Sequence, residues 1–194
     1  MSSSSHGFPI QIKVLIGFLA LAFIFTIFPV DLYRDLPNVN TAALGSEKGK
    51  TDFYNVSRVV DGDTLVVSID GVDTKLRLIG INTPETVDPR RPVQCYGKEA
   101  SAYMKSIADN QYVQLEYDGT QGRADKYDRI LAYAYLQDGR MLNKMMIADG
   151  YAYEYTYNKS QPYKYQVAFK VAQKIAERGS RGLWASDTCN GKVE

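Results

Sequence analysis

The segment at residues 77–85, which reads RLIGINTPE, holds the residues best suited to chemistry. Arg77 opens an apolar run, and Pro84 ends it because proline has no N–H to continue a hydrogen-bonded ladder. Glu85 therefore follows directly on the end of a strand. A guanidinium offers a planar set of donors that fits a phosphate, and a carboxylate binds a divalent cation or orients a water molecule. The pair indicates phosphate chemistry, with a surface ion pair as the ordinary alternative.

Two other motifs lie on either side of this segment. Residues 61–64 read DGDT, and residues 125–129 read DKYDR ahead of an alternating apolar run. Taken singly, the first is typical of a hairpin turn and the second of a charged loop. In this order along the chain, together with YGKEA at 96–100, they resemble the staphylococcal nuclease (thermonuclease) family. The resemblance extends from about Val56 to Trp184 and so covers most of the chain beyond its amino-terminal region.

The resemblance implies a catalytic role for three side chains. Arg77 and Arg129 are expected to contact the scissile phosphate and to stabilise the negative charge that builds on it in the transition state. Glu85 is expected to act on the attacking water, as general base or as its orienting group. The implied reaction breaks the phosphodiester bond on the 5′-oxygen side, leaves a 3′-phosphate and needs no covalent nucleophile. The rival interpretation is a non-catalytic OB-fold module that binds nucleic acid or protein, because this fold hosts both functions.

The resemblance also implies a calcium site. Asp63 and the backbone carbonyl of Thr83 are expected to bind the ion, and Asn82 stands where the family commonly has an aspartate. An amide oxygen still binds calcium, but affinity rises with the number of charged ligands, so weaker binding is expected here. Asp128 stands where a small residue is common in the family, and it either pairs with Arg129 or adds negative charge beside it.

Nucleic acid is the expected substrate and partner. Lys126 and Tyr127 match nucleotide-contact positions of the family. Tyr155 and Tyr157 lie near its aromatic positions and are candidates for stacking on bases, with ordinary packing as the alternative. The chain has 23 Lys+Arg against 22 Asp+Glu, so net charge does not indicate a nucleic-acid partner, and binding must rely on local clusters of charge. No obligate protein partner is implied.

Hydrophobic periodicity predicts an α+β fold. Five β-rich runs suit a five-stranded OB-fold β-barrel. Apolar residues at helical spacing predict three helices: one between the third and fourth strands, a short one that ends at Gly150, and one that begins near Pro162. The last helix is expected to bury Tyr165 and either Ile175 or Ala176. The predicted strands are residues 54–60, 64–69, 74–81, 112–117 and 130–136.

The amino-terminal region carries a membrane-targeting segment. Residues 14–30 hold no charged side chain, and the length of this run lies at the short end of the roughly 17 to 25 residues that span a bilayer. A cleaved signal peptide has a shorter apolar region before a small-x-small site, so an uncleaved transmembrane anchor is favoured and a secreted product is the alternative. Lys13 precedes the segment, which places the amino terminus in the cytoplasm and the catalytic domain outside. The predicted organisation is a cytoplasmic stretch at 1–13, a transmembrane segment at 14–30, a flexible linker at 31–51, a nuclease domain at 52–187 and a tail at 188–194.

The chain has two cysteines, Cys95 and Cys189. An exported domain would allow them to form one disulfide, with two unpaired thiols as the alternative. The bridge would tie the carboxyl-terminal tail to the body of the domain. Closing so long a loop stabilises the fold by up to about 4 to 5 kcal/mol in the chain-entropy model.

Overall fold

The computed structural model describes residues 52–86, 88–90 and 92–192. The predictions for residues 1–13, 14–30 and 31–51 lie outside this part of the chain. Within it, no helix combines the length and the apolar character needed to cross a membrane.

Five strands close into a barrel. They are β1 (Phe53–Val59), β2 (Thr64–Ile69), β3 (Val72–Leu78), β5 (Tyr112–Glu116) and β6 (Ile130–Leu136). Around the barrel the order is β1, β2, β3, β6 and β5, and β5 pairs back to β1. The pairs are antiparallel except for β3 and β6, which run parallel. The prediction of a five-stranded OB-type barrel is therefore confirmed.

Side-chain alternation along β3 separates the core from the site. Leu76 and Leu78 are fully buried in the core, together with Leu65 and Val67 of β2. Successive side chains of a strand point to opposite faces, so Arg77 lies on the other side of β3 from the two leucines. The same apolar residues that fill the barrel thus fix the direction of the arginine.

Three helices accompany the barrel, as predicted. They are α1 (Gly97–Ala108), α2 (Leu142–Ala148) and α3 (Gln166–Arg178). A short 3₁₀ turn, Gly182–Trp184, follows α3. Each helix buries one apolar face, so its amphipathic pattern determines which side packs on the rest of the domain.

The third strand ends earlier than the sequence predicts, and the prediction of residues 74–81 is wrong. Gly80 has a φ of 78°, and a side chain there would meet the Tyr163 ring at 2.6 Å. The chain turns at this glycine, and β4 (Ile81–Asn82) pairs with β7 (Tyr153–Glu154) in a separate two-stranded sheet. This turn brings Asn82 back beside Arg77.

The start of α3 differs from the prediction, whereas the buried Ala176 confirms one of the two residues predicted for its inner face. The helix begins at Gln166 and not near Pro162. Ile175 is 52% exposed, whereas Ala176 is fully buried. Tyr165 precedes the helix and is only partly buried. The small alanine allows α3 to lie close to its neighbours, which leaves the larger isoleucine on the outer face.

Asn143, near the start of α2, links this helix to the barrel. Its side chain is fully buried, its Oδ1 accepts from the Ala134 N–H at 3.0 Å and its Nδ2 donates to the Ile79 carbonyl at 2.8 Å. Asn143→Ala leaves both backbone groups buried without these partners, and each such loss costs about 1 to 3 kcal/mol. We expect urea unfolding to show a free energy of unfolding lower by about 2 to 6 kcal/mol. A change below about 1 kcal/mol would contradict this role.

Cys95, two residues before α1, is joined to Cys189 by a disulfide. The bridge closes a sequence separation of 94 residues and attaches the tail to the amino-terminal end of α1.

Candidate active site

The predicted site residues line one cleft on the side of the barrel. Its volume is about 550 Å³. The turn before β2, the end of β3, the segment after β4, the loop before β6 and the segment after β7 all contribute to its walls. The predicted residues on these walls are Asp63, Arg77, Asn82, Thr83, Glu85, Lys126, Tyr127, Arg129, Tyr155 and Tyr157.

The turn between β1 and β2 places two carboxylates at the floor of the cleft. Asp61 Oδ1 accepts from the Asp63 N–H at 3.0 Å, which fixes the turn. Asp63 Oδ2 accepts from the Thr83 N–H at 2.9 Å and from its hydroxyl at 3.2 Å. A side chain at Gly62 would approach Thr83 to 2.7 Å, so the glycine allows this close contact. Two distant segments of the chain are thereby joined at Asp63.

Arg77 is held between β3 and the segment after it. Its Nε pairs with Asp63 Oδ1 at 3.2 Å. Its Nη1 donates to the Leu78 carbonyl at 2.6 Å, and its Nη2 donates to Asn82 Oδ1 at 3.2 Å. Contacts on three sides restrict the rotamers of the side chain, so the guanidinium is oriented before any substrate binds.

Arg129 is oriented by its own loop. Its Nη2 and Nε lie 2.7 Å and 2.8 Å from Asp125 Oδ2, and its N–H donates to Asp125 Oδ1 at 3.1 Å. Burial raises the pKa of Asp125, but hydrogen bonds from Arg129 and Tyr127 outweigh burial and lower it overall. Asp128 adopts a left-handed backbone with a φ of 57°, and Asp125 is the aspartate that pairs with the arginine.

Glu85 follows Pro84 at the rim of the cleft. Its Oε1 accepts from the Thr86 N–H at 2.8 Å and from the Asp88 N–H at 3.1 Å. Its own N–H donates to Gln94 Oε1 at 2.7 Å. Backbone amides of the following loop therefore orient the carboxylate.

Exposed aromatic rings border the cleft. The exposed fractions are 66% for Tyr127, 44% for Tyr155 and 81% for Tyr157. The Nζ of Lys126 lies 5.0 Å from the centre of the Tyr127 ring. The Tyr155 N–H donates to the Gly80 carbonyl at 3.0 Å, which attaches its segment to the turn after β3. Rings as exposed as these are available for stacking on bases.

The oxygen donors of the cleft fit a hard divalent cation. Asp61, Asp63, Asn82 and Thr83 line the cleft, and they carry carboxylate, amide and carbonyl oxygens, the kinds of ligand that calcium prefers. Burial and the neighbouring charge of Asp63 raise the pKa of Asp61 to about 6. Within the described ranges, no three His, Cys, Asp or Glu side chains cluster as a metal site.

Asp61 is a functional candidate that the sequence analysis did not single out. The available clue was the first aspartate of DGDT, a position that is also typical of a simple turn.

We expect Asp61→Asn to stabilise the fold at neutral pH when a chelator is present. The folded-state pKa of about 6 lies above the ordinary value near 4, so this group favours folding below about pH 4 and loses that contribution as pH rises through 6. The variant should exceed the wild type by about 1 to 3 kcal/mol at pH 7.5, and the difference should vanish at pH 4. Urea unfolding checks this, with Asp70→Asn in an exposed turn as the control. Equal stabilities at both pH values would contradict it.

Comparison with known proteins identifies the family. The family model described as "Staphylococcal nuclease homologue" matches residues 75–186. The thermonuclease of Staphylococcus hyicus is 37% identical over 174 residues, which cover 90% of this chain and 99% of the relative. The thermonuclease of Staphylococcus intermedius is 43% identical over 142 residues, 71% of this chain and 82% of the relative. Endonuclease YncB of Bacillus subtilis (strain 168) is 33% identical over 141 residues, 71% of this chain and 65% of the relative. The chain belongs to the staphylococcal nuclease family and is a phosphodiester nuclease.

Proposed function

We propose that this nuclease hydrolyses DNA or RNA, or both, by attack of water on a phosphodiester in the cleft, with calcium as its cofactor. The observation that carries the proposal is the convergence of Arg77, Arg129 and Glu85 with a group of oxygen donors on one cleft. These are the groups that phosphodiester hydrolysis needs: positive charge that binds the phosphate, a base that accepts a proton from water, and oxygen ligands for a cation.

The two arginines bind the phosphate and stabilise its transition state. Arg77 and Arg129 are anchored to Asp63 and Asp125, so neither guanidinium needs to be ordered when substrate arrives. Positive charge that is fixed in advance acts most strongly where the phosphate oxygens become more negative. By family resemblance the bond on the 5′-oxygen side breaks and a 3′-phosphate remains.

Glu85 takes a proton from the attacking water or orients that water. Hydrogen bonds from the Thr86 and Asp88 N–H groups to Oε1 orient the carboxylate before substrate binds. A general base must lie in hydrogen-bonding position for the proton it accepts, so this fixed orientation suits the role.

The residues that would hold calcium are Asp61, Asp63, Asn82 and the Thr83 carbonyl. Bound calcium would supply positive charge next to the phosphate and the water. Asn82 contributes a neutral oxygen, so the residues of this site favour weaker binding than a further carboxylate would give.

Lys126, Tyr127, Tyr155 and Tyr157 bind the nucleotides next to the scissile phosphate. The lysine attracts the phosphate backbone, and the exposed rings stack on bases without reading their sequence. This set of contacts favours a nuclease with broad sequence tolerance.

A calcium titration tests the proposal. Cleavage of DNA and of RNA is followed for the wild type, Asn82→Asp and the exposed Asn110→Asp. We expect the wild type to cleave with calcium, and Asn82→Asp to reach half-maximal rate at a calcium concentration at least about fivefold lower. Asn110→Asp should match the wild type. Absence of cleavage at any calcium concentration would refute the proposal, and equal titrations for Asn82→Asp and wild type would refute the calcium site.

We also propose that residues 14–30 anchor the chain in a membrane with the nuclease domain on the extracytoplasmic side. The uncharged run of the sequence and the Cys95–Cys189 pairing, which belongs to oxidising compartments, support this location. Protease digestion of intact and permeabilised cells tests it. Digestion of the nuclease domain only after permeabilisation would contradict the proposed orientation, and mature protein that begins after residue 30 would show a cleaved signal.

A further inference from the structure

The loop that begins at Glu85 is closed by a reciprocal pair of hydrogen bonds. The Glu85 N–H donates to Gln94 Oε1 at 2.7 Å, and the Gln94 N–H donates to the Glu85 carbonyl at 2.9 Å. The pair joins the two ends of the loop, whose amides at Thr86 and Asp88 orient the Glu85 carboxylate. The position of this carboxylate therefore depends on Gln94.

The amino-terminal end of α1 packs directly on the same segment. A side chain at Gly97 would lie 2.6 Å from Thr86 Cγ2 and 3.1 Å from the Pro84 and Glu85 carbonyl oxygens. The Gly97 N–H donates to the Gln94 carbonyl at 3.1 Å. No side chain caps α1. The Gln94 side chain accepts from the Glu85 N–H and does not cap the helix.

The disulfide fixes the residue next to Gln94. Cys95 is bonded to Cys189, and the tail around Cys189 is attached to the body of the domain by its own contacts. The Leu183 N–H donates to the Gly150 carbonyl, and the Gly191 N–H donates to the Leu183 carbonyl, both at 2.8 Å. The bridge therefore connects the loop of Glu85 to a part of the domain that is held independently.

We propose that Gln94 is a positioning residue for Glu85, and that the Cys95–Cys189 disulfide makes this positioning depend on oxidation. The inference rests on the proposed function of Glu85 as the group that acts on water. Oxidation keeps residues 94 and 95 in place, Gln94 keeps the loop closed, and the closed loop holds the carboxylate. Reduction leaves the arginines and the oxygen donors in place and releases only this support.

The expected signature is a lower kcat at nearly constant KM. A misplacement of about 1 Å in a reacting group costs about 100-fold in rate, whereas Lys126, the tyrosines and the arginines still bind substrate. We expect Gln94→Ala to lower kcat by about 10- to 100-fold, with KM changed less than about twofold. Gln94→Glu keeps an acceptor for the Glu85 N–H and should restore kcat to within about threefold of wild type. Gln137→Ala, at an exposed position outside the cleft, is the matched control.

Reduction of the Cys95–Cys189 disulfide in the full chain with a water-soluble trialkylphosphine tests the dependence on oxidation. The phosphine gives two electrons to the S–S bond, two thiols form with protons from the medium, and the phosphine becomes its oxide with oxygen from water. We expect reduction to lower kcat by about 3- to 30-fold. The Cys95→Ser/Cys189→Ser double variant should show the same loss and no further response to phosphine. All rates are taken well below the unfolding temperature of each variant, so lost stability does not enter.

A structural readout accompanies the rates. Amide hydrogen exchange of Glu85 and Gln94 should become faster in Gln94→Ala and in the reduced wild type, while exchange in β2 and β3 stays unchanged.

Unchanged kcat in Gln94→Ala, or a loss that Gln94→Glu does not rescue, would overturn the positioning role. Unchanged kcat after complete reduction would overturn the redox dependence. If the oxidised wild type does not cleave nucleic acid, the proposed function itself is refuted. This outcome differs from failure of the Gln94 proposal, in which the oxidised wild type cleaves but the variants or the reduced protein do not lose rate as expected.

Discussion

Glu85→Gln is expected to lower kcat by about 100- to 10 000-fold, because it removes the proposed proton acceptor for the attacking water. The amide oxygen of glutamine still accepts from the Thr86 and Asp88 N–H groups that bind Oε1 in the wild type. The loop should therefore keep its shape. KM should change less than about threefold, since the arginines and tyrosines that we propose bind the substrate are unaffected. Steady-state cleavage of a defined oligonucleotide at saturating calcium measures both constants.

Glu99→Gln is the matched control for this change. Glu99 is an exposed carboxylate in the first turn of α1 and does not line the cleft. Its replacement removes the same charge without touching the proposed base, so kcat should stay within about twofold of wild type. Equal losses in the two variants would mean that overall charge, and not a base at Glu85, determines the rate.

Arg129→Lys is expected to lower kcat by about 100- to 1000-fold. The guanidinium uses Nε and Nη2 on Asp125 and keeps further donors for the phosphate, whereas an ammonium is a single compact charge that cannot do both with fixed geometry. Loss of one oriented donor to a developing oxyanion costs a factor of this size in other enzymes. Fold stability should change by less than about 1 kcal/mol, because the positive charge beside Asp125 is retained.

Arg140→Lys is the matched control for Arg129→Lys. Arg140 pairs through Nε with Asp138 at 2.7 Å, so the ion pair has similar geometry, but its side chain is 59% exposed and lies outside the cleft. Rates should be unchanged in this variant. An Arg129→Lys enzyme with at least half the wild-type kcat would show that the guanidinium does not act in the transition state.

The barrel and the helices were predictable because local patterns agree with the fold. Alternation around Leu76 and Leu78 marks a half-buried strand, and motif order along the chain indicated the family. The end of β3 was not predictable, because its apolar run continues through Ile81 in the sequence. The turn at Gly80 is stabilised by contact with Tyr163, which is far away in the chain. Tertiary packing, and not local propensity, decided where the strand stopped.

The site was predictable to the extent that its residues lie in motifs. Asp63, Arg77 and Arg129 stand at fixed places in three segments that the structure brings to one cleft. Asp61 is not distinguishable from an ordinary turn residue in the sequence, since its candidate role depends on burial beside Asp63. Gln94 carried no signal, because a glutamine in a loop is ordinary and its contact with the Glu85 N–H appears only in three dimensions.

Cleavage and binding of one DNA oligonucleotide, measured in the same samples of full chain in detergent, test the central claim most directly. The samples are wild type with calcium, wild type with chelator and Glu85→Gln with calcium. The structure and the family predict rapid cleavage in the first, none in the second, and binding with almost no cleavage in the third. Wild-type protein that binds the DNA but cleaves it with neither calcium nor magnesium would contradict the claim and would identify a nucleic-acid-binding OB-fold module in place of a nuclease.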